Sequence, residues 1–481
     1  MMGSRCDENC ADRWARVRHM PQHSKIEETL VAPRDRQGLD RIAIGASADR
    51  ERSTPLSVGV IVDLFQSPSA GGHVKTWEKL AEAARGEPLD LTVYFFGDKQ
   101  TVQPLAENVR YVRLPPVWST HSLPFLEGIP AHTDLAPLHP RALLLFRRHH
   151  VLHATDAYFS LARAARLLSR WSPRALVHST HTDTPAYTRL YSDQILRRLC
   201  GDGLCGRTLR ERWRWPDRLG GRMQRRLERY LRCCDWAMAP DQDSLQQLRS
   251  VIDPGRLSVL RRGIDIEAFH PGRRDRARLE QQWGVPADRA VLLFAGRMDA
   301  GKDALTLARA ARILLERGLP VHVICAGEGG QMQEIRDLLG ERVSLPGQVS
   351  QDELAWLYAS ADLFVSCSQI EVFPNVLLEA KASGLPVVIS ARGGSAKLVR
   401  HSAPACDADG VAVTGNEPDT WAGEIERLLR APERRRAMGE AARRFVENAW
   451  PSWRQVLRED LLPVWQLVAR PPSKRADGAQ L

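Results

Sequence analysis

The sequence predicts an α/β protein of two Rossmann-like domains, each a doubly wound parallel sheet, that face each other across a cleft. Two observations lead to this prediction. Short apolar segments alternate with helical stretches along most of the chain, which is typical of parallel strands buried on both faces. A linker punctuated by Pro271 and Gly272 divides the alternation into two series, and 481 residues are too many for one ordinary core.

Changes of pattern give the domain limits. Residues 1–55 are polar and charged without periodicity and are predicted to be a disordered leader. The first domain is expected to span 56–262 and the second 263–449. A helical segment at 450–470 and a frayed tail at 471–481 follow.

Each element is placed by its own pattern of apolar residues. In the first domain we predict strands at 56–63, 89–96, 151–154, 175–179 and 236–239, and helices at 73–85, 158–169, 186–199, 224–233 and 243–251. In the second domain we predict strands at 290–295, 320–325, 343–345, 363–366, 387–390 and 411–413, and helices at 302–317, 331–339, 352–359, 375–383 and 418–429.

Composition argues against several classes of protein. No apolar run approaches the ~18 residues that a spanning helix needs, and the first ten residues have no apolar core of a secretory signal. Nine cysteines, an odd number, favour a reducing compartment, so we expect a cytoplasmic protein. Cys6/Cys10 and Cys200/Cys205 have the spacing of zinc half-sites, but neither has a matching second pair, and free thiols are favoured.

Two carboxylates eight positions apart mark the most informative segment. Glu371 follows the predicted strand 363–366, and Glu379 lies one turn inside a helix that opens near Pro374, a residue suited to a first helical position. This arrangement puts acidic groups and a helix N-terminus at the carboxyl end of a parallel sheet, where open α/β folds bind ligands.

Basic and glycine residues follow the neighbouring strands. Arg297 and Lys302 flank the turn between strand 290–295 and the next helix, where cations and a helix N-terminus would hold a diphosphate. A surface arginine and lysine at an ordinary turn is the alternative. Gly327, after strand 320–325, would allow a ligand to approach the backbone, although a tight turn explains it almost as well.

The first domain offers a histidine at a similar place. His181 follows strand 175–179, and its titration near neutral pH suits an acid/base or hydrogen-bonding role. A structural histidine at a strand end is the alternative. In the loop after the first strand, Gly72 can supply a positive φ and let substrates approach the backbone.

Together these motifs resemble the GT-B glycosyltransferases of the large retaining family 4, whose signature is Glu-x7-Glu. The resemblance implies that Arg297 and Lys302 bind the donor diphosphate, that Glu379 accepts hydrogen bonds from the ribose, and that Glu371 lies beside the sugar. It also implies a segment 450–470 that packs back on the first domain. The residues that it assigns to donor binding are Gly72, Arg297, Lys302, Gly327, Glu371, Phe373, Pro374, Asn375 and Glu379. It assigns catalysis to His181, Arg297, Lys302 and Glu371.

One part of the signature departs from the family. Where the family commonly has Glu-Gly-Phe-Gly, this chain has Glu371-Val-Phe-Pro. Val372 restricts φ, and Pro374 removes one backbone N–H donor. The resemblance therefore leaves the sugar contacts open.

The run from His181 to Tyr187, His-Thr-Asp-x-Pro-x-Tyr, resembles mannosyl- and sulfoquinovosyl-transferases that make glycolipids and related glycans. The implied activity is transfer of a hexose from a GDP- or UDP-sugar to a hydroxyl of a lipid, lipid-linked or glycan acceptor. The implied mechanism retains the anomeric configuration and needs no cofactor or metal. Two alternatives stay open: a GT-B phosphorylase, and an inactive nucleotide-binding scaffold.

The positive charge is concentrated in one stretch. Residues 197–232 carry twelve arginines against four acidic residues, and so contribute +8 to the net charge of +10. We expect a basic insertion at 199–222 outside regular structure, with Trp213 and Trp215 among its arginines. Arginine with tryptophan suits an anionic membrane surface. Nucleic acid is the competing partner for this charge. No nucleic-acid-binding motif accompanies the arginines, so we do not expect the protein to bind nucleic acid.

Overall fold

A computed structural model describes residues 55–67, 70–119, 134–201, 203–400 and 408–469, with only the backbone given at 204 and 205. Apart from Pro55, the predicted leader lies outside the described residues, as does the tail. The described chain contains two sheets with helices on both faces, which confirms the predicted fold class.

The first sheet has eight strands in the order β3-β4-β2-β1-β5-β6-β7-β8, and only β3 runs antiparallel to its neighbour. The strands are β1 Leu56–Phe65, β2 Leu89–Phe96, β3 Thr101–Ala106, β4 Val109–Leu114, β5 Val151–Ala154, β6 Ala175–Ser179, β7 Trp236–Ala239 and β8 Leu257–Val259. The helices of this half are α1 Gly72–Ala83, α2 Pro140–Phe146, α3 Ser160–Trp171, α4 Thr184–Cys200, α5 Leu204–Arg207, α6 Trp215–Leu231 and α7 Gln242–Leu248.

The second sheet has six parallel strands in the order β11-β10-β9-β12-β13-β14. The strands are β9 Ala290–Ala295, β10 Val321–Ala326, β11 Val343–Gly347, β12 Leu363–Ser366, β13 Val387–Ser390 and β14 Gly410–Val413. The helices are α8 Arg276–Trp283, α9 Ala304–Glu316, α10 Met332–Leu339, α11 Gln351–Ser360, α12 Asn375–Ala382, α13 Pro418–Leu429 and α14 Pro432–Ala449. This is the Rossmann strand order, with its switch point between β9 and β12.

The chain ends, as far as it is described, on the first sheet. Helix α15 Trp453–Val456, a π-helical turn Leu457–Leu461 and helix α16 Leu462–Val468 follow one another. Their buried residues, including Leu461 and Trp465, share one apolar core with Val58 of β1 and Trp77 of α1. This C-terminal segment therefore packs on the first domain and completes its apolar core.

The basic insertion is helical, so the expectation of an irregular segment was wrong. After α5 comes a π-helical turn, Thr208–Arg212, and α6 begins at Trp215, about nine residues before the predicted helix. In α6, Met223 and Leu227 pack on the core around Tyr230. The arginines between these apolar residues occupy the opposite face of the helix, which gave the segment its misleadingly polar composition.

Candidate active site

The predicted phosphate-binding residues lie at the topological switch point of the second sheet, where the strand order reverses. Arg297 follows β9 and Glu371 follows β12, and these two strands are parallel neighbours. After β9 the chain adds β10 and β11 on one side of β9, and it then adds β12 on the opposite side of β9. Their carboxyl ends therefore leave a crevice between them, where ligands bind in such folds.

Asp299, which the sequence analysis did not single out, orders the basic loop. Its Oδ1 accepts backbone N–H bonds from Gly301 at 2.9 Å and Lys302 at 3.0 Å. Its Oδ2 accepts a bond from the Arg297 guanidinium at 3.0 Å. One carboxylate thus fixes the loop and aims the arginine. The spacing Arg-x-Asp-x-x-Lys was the signal available in the sequence.

Lys302 and Glu371 form an ion pair across the crevice. The lysine side chain is 22% exposed and that of Glu371 10% exposed, so the pair is shielded but remains within reach of a ligand. Glu371 is thus the anion that balances the charge of Lys302. A diphosphate that binds Lys302 would have to replace it.

Glu379 lies in the second turn of α12 and accepts a hydrogen bond at 3.2 Å from the hydroxyl of Tyr358. Burial raises the pKa of Glu379 to about 7, although the Tyr358 hydrogen bond and the charge of Lys79 oppose the rise. Pro374 precedes the first helical residue instead of occupying it, with φ −83° and ψ 105°, so the expected position was wrong by one residue.

Asn375 joins the two domains. Its Nδ2 donates to the hydroxyl of Thr76 at 3.1 Å and, weakly, to the carbonyl of Gly72 at 3.5 Å. Its Oδ1 is buried and has no partner among the described residues. Gly72 is the first residue of α1 and has no positive φ. The left-handed conformation that the sequence allowed is therefore not used. A Cβ at Gly72 would lie 3.7 Å from Nδ2 of Asn375, an ordinary contact, so a role of Gly72 toward substrates stays a prediction.

The glycine at Gly327 is explained by packing. Its φ is +140°, and a Cβ there would lie 2.0 Å from the carbonyl oxygen of Gly296. The close approach suggested by the sequence is therefore made by the neighbouring strand end. A direct role of Gly327 with a ligand stays a prediction.

His181 ends a chain of buried hydrogen bonds that starts in the C-terminal helix. The indole N–H of Trp465 donates to His153 Nδ1 at 3.0 Å, so neutral His153 carries its proton on Nε2, which bonds Ser179 Oγ at 2.8 Å. The Ser179 hydroxyl is then free to donate to His181 Nε2 at 2.8 Å. Trp77 donates to the same nitrogen at 3.2 Å. Because an indole can only donate, His181 Nε2 is an acceptor.

Neutral His181 therefore carries its proton on Nδ1, and this atom is buried without a partner among the described residues. Burial, and then the charge of Arg262, hold the pKa of His181 well below its ordinary value of 6.5. The expected titration near neutral pH was therefore wrong. His181 is a neutral hydrogen-bond donor, and its ring stacks on His73 with centroids 4.5 Å apart.

Phe373 connects Glu371 to a residue that sequence reasoning missed. Its ring lies 5.4 Å from that of Trp450 and 5.8 Å from the guanidinium carbon of Arg262. Arg262 is 3% exposed. Its sequence context, the second of two consecutive arginines in the linker between the domains, gave no sign that it would be buried.

The described residues show neither a metal cluster nor a membrane-spanning helix. No group of three or more His, Cys, Asp or Glu side chains could hold a metal ion there. None of the helices in the described ranges is both long and apolar enough to cross a bilayer.

The family follows from the comparison with known proteins. Residues 70–268 match the family described as Glycosyltransferase Family 4, and residues 275–445 match Glycosyl transferases group 1. The two matches span about three quarters of the sequence. The chain belongs to the family-4, or group 1, glycosyltransferases, as the Glu-x7-Glu resemblance implied.

Individual relatives match part of the chain. A D-inositol 3-phosphate glycosyltransferase of Salinispora tropica is 33% identical over 246 residues, which are 47% of this chain and 49% of the relative. A Mycobacterium tuberculosis protein of the same name is 36% identical over 204 residues, 40% of this chain and 41% of its own. The chain thus spans about half the length of the curated relatives that it matches.

Solved structures match nearly all of the fold. The Anabaena protein HepE, crystallised with UDP and glucose, has a TM-score of 0.58 at 19% identity, covering 86% of this chain and 98% of its own. The sucrose-phosphate synthase of Thermosynechococcus elongatus has a TM-score of 0.60 at 18% identity, covering 86% and 96%. At such identities the similarity establishes the fold, which is GT-B.

Proposed function

We propose that the protein is a retaining, metal-independent glycosyltransferase that moves a hexose from a UDP- or GDP-sugar to a hydroxyl acceptor. The observation that carries this proposal is the placement of Arg297 and Lys302 opposite Glu371 at the switch point of the second sheet. Two cations in a shielded crevice can take up the charge of a departing nucleoside diphosphate.

Donor binding would begin with an exchange of partners. The diphosphate takes the place of Glu371 at Lys302, while Arg297 stays oriented by Asp299. Glu379 accepts hydrogen bonds from the ribose hydroxyls, and Glu371, released from the lysine, turns to the sugar hydroxyls. That HepE was crystallised with UDP supports a nucleotide-sugar donor for this fold.

Transfer is proposed to occur on one face of the sugar. The bond between the anomeric carbon and the phosphate oxygen breaks, and a bond to the acceptor oxygen forms on the same side. The leaving phosphate takes the acceptor's proton, so no side-chain base is required. His181, neutral and with its proton on Nδ1, donates a hydrogen bond to the substrates near the anomeric carbon.

The acceptor is proposed to be a lipid, lipid-linked or glycan hydroxyl, reached at the cytoplasmic face of an anionic membrane. The residues around α6 form an open groove lined by arginine guanidinium groups, and Trp213 and Leu199 expose 50% and 68% of their surface. Among the described residues, no carboxylate forms an ion pair with the groove residues Arg212, Arg218, Arg222 and Arg225. Each cation near such a surface contributes about 1 kcal/mol.

Co-sedimentation with phosphatidylglycerol vesicles at low salt tests the membrane contact. The triple variant Arg218→Gln, Arg222→Gln, Arg225→Gln should stay in the supernatant. A matched triple variant on the other domain should sediment like the wild type; it carries Arg312→Gln, Arg427→Gln and Arg430→Gln. Equal sedimentation of both variants would exclude the groove as the membrane contact.

The activity itself is tested by incubating the protein with a panel of UDP- and GDP-sugars and measuring nucleoside diphosphate release, with and without candidate acceptors. We expect one donor to be consumed in the presence of EDTA. NMR of the product should show the same anomeric configuration as the donor. Consumption of inorganic phosphate with formation of a sugar phosphate would instead identify a phosphorylase. The absence of any turnover with bound nucleotide would favour a scaffold.

A further inference from the structure

Arg262 is a buried arginine that forms no ion pair within the part of the chain that the structure describes. It follows β8 in the linker between the domains, is 3% exposed, and its Nε and Nη1 have no hydrogen-bond partner among the described residues. Its neighbour Arg261 behaves in the opposite way, because Asp460 and Glu459 hold its guanidinium. The π-helical turn Leu457–Leu461 thus supplies carboxylates to one arginine of the linker and none to the next.

The position of Arg262 is at the reacting end of the cleft. Its guanidinium carbon lies 5.8 Å from the ring of Phe373, in the segment that begins with Glu371. On the other domain, burial first and then the charge of Arg262 lower the pKa of His73 to about 3, and the same charge acts on His181. Arg262 therefore lies between the sugar side and the acceptor side.

A charged group in such a place is unfavourable unless it is paired. Burial lowers the pKa of Arg262 to about 10, so the side chain is still cationic at neutral pH. Removing a cation from water without an anion nearby destabilises the folded protein. Its unpartnered Nε and Nη1 also leave charged N–H donors available to an oxyanion.

We propose that Arg262 binds an anionic group, a phosphate or carboxylate, carried by the sugar or acceptor that reacts beside His181. This subsite is separate from the diphosphate site of Arg297 and Lys302. It rests on the proposed function, because that function locates the reacting centre. The shared ligand chemistry is an oxyanion attached to a polyhydroxylated substrate.

The first test is the stability of Arg262→Met in the absence of ligands. If Arg262 stabilises the fold, its replacement lowers the free energy of unfolding, and the variant unfolds at a lower denaturant concentration. If Arg262 serves a ligand instead, its replacement does not lower the stability, because exchanging a buried charge for an apolar chain of similar length is often neutral or stabilising. We expect the variant to unfold at the same concentration as the wild type or a higher one. A clear loss of stability would overturn the proposal.

The second test measures thermal stabilisation by inorganic phosphate while UDP or GDP saturates the diphosphate site. We expect phosphate to raise the melting temperature of the wild type and of the control Arg427→Met, an exposed arginine, but not of Arg262→Met. An equal phosphate shift in Arg262→Met, or none in the wild type, would overturn this inference alone. If neither UDP nor GDP raises the melting temperature of the wild type, the result contradicts the proposed function itself.

The third test identifies which substrate carries the anion. The donor arm compares UDP-glucuronate with UDP-glucose, and the acceptor arm compares an inositol phosphate with free inositol. We expect Arg262→Met to weaken the anionic member of one pair by roughly thirtyfold or more and to leave its neutral counterpart unchanged. Equal weakening of the charged and neutral members in both arms would contradict a charge-specific subsite.

Discussion

His181 should act as a neutral hydrogen-bond donor, and its replacement can separate this role from that of a base. The side-chain amide of asparagine places an N–H close to where histidine has Nδ1, whereas leucine has no donor. A hydrogen bond to a charged or charge-developing atom contributes about 1.5–3 kcal/mol. His181→Leu should therefore lower kcat/KM by roughly 10- to 150-fold, and His181→Asn should retain most of the activity.

The pH profile provides the decisive assay. Because burial and Arg262 hold the pKa of His181 well below 6.5, the wild type should show no histidine inflection of kcat/KM between pH 6 and 8. Trp465→Phe, a change in the buried core, should reproduce part of the loss of kcat/KM, because His153 can then adopt its other tautomer. An inflection near 6.5 in the wild type that disappears in His181→Asn would refute the reasoning.

Four further outcomes are expected from the site and the core. Lys302→Ala should lower kcat by ~10²-fold or more, the effect of losing one donor to a developing anion; steady-state kinetics with unchanged turnover would contradict it. UDP or GDP should bind more tightly as pH rises from 6 to 8, because the pKa of Glu379 is about 7 and only its ionised form accepts both ribose hydrogen bonds; calorimetry of Glu379→Gln should show a flat pH dependence. The raised pKa of Glu379 has the opposite effect on the stability of the free protein. Between pH 4.5 and about 7 the folded state holds a proton that the unfolded state has released, so the free energy of unfolding should fall as pH rises through this range. Asp409→Asn should lower the free energy of unfolding by about 3–5 kcal/mol, since it leaves the fully buried Lys381 without its carboxylate; a loss under about 1 kcal/mol in denaturant unfolding would rule this out.

Most of the parallel strands were predictable because each is a short apolar run with no competing pattern. The parallel strands Val109–Leu114 and Leu257–Val259 were not predicted, because the first carries two arginines and the second has only three residues. Strands Leu89–Phe96, Ala290–Ala295 and Leu363–Ser366 begin and end where the sequence places them. The strand Thr101–Ala106 was missed because it is an exposed edge strand containing Pro104. The helix Pro432–Ala449 was missed because arginine and glutamate outnumber the apolar residues of its buried face.

The candidate site was predictable only where spacing along the chain carries the information. Arg297, Lys302, Glu371 and Glu379 follow strands or open helices, so their convergence could be expected from the topology. The tautomer of His181 could not be predicted, because it depends on side chains distant in sequence: the indole of Trp77 and, through His153 and Ser179, that of Trp465. Sequence alone also cannot show that a basic residue is buried without a partner.

The central claim is that a nucleoside diphosphate is held at the switch point of the second sheet. Its most direct measurement is calorimetric titration of UDP and of GDP into the full chain and into the variants Arg297→Gln and Lys302→Gln. We predict that one nucleotide binds the wild type and that each variant weakens it roughly tenfold or more, the loss of one charged hydrogen bond. Binding of neither nucleotide, or equal affinity in all three proteins, would contradict the account.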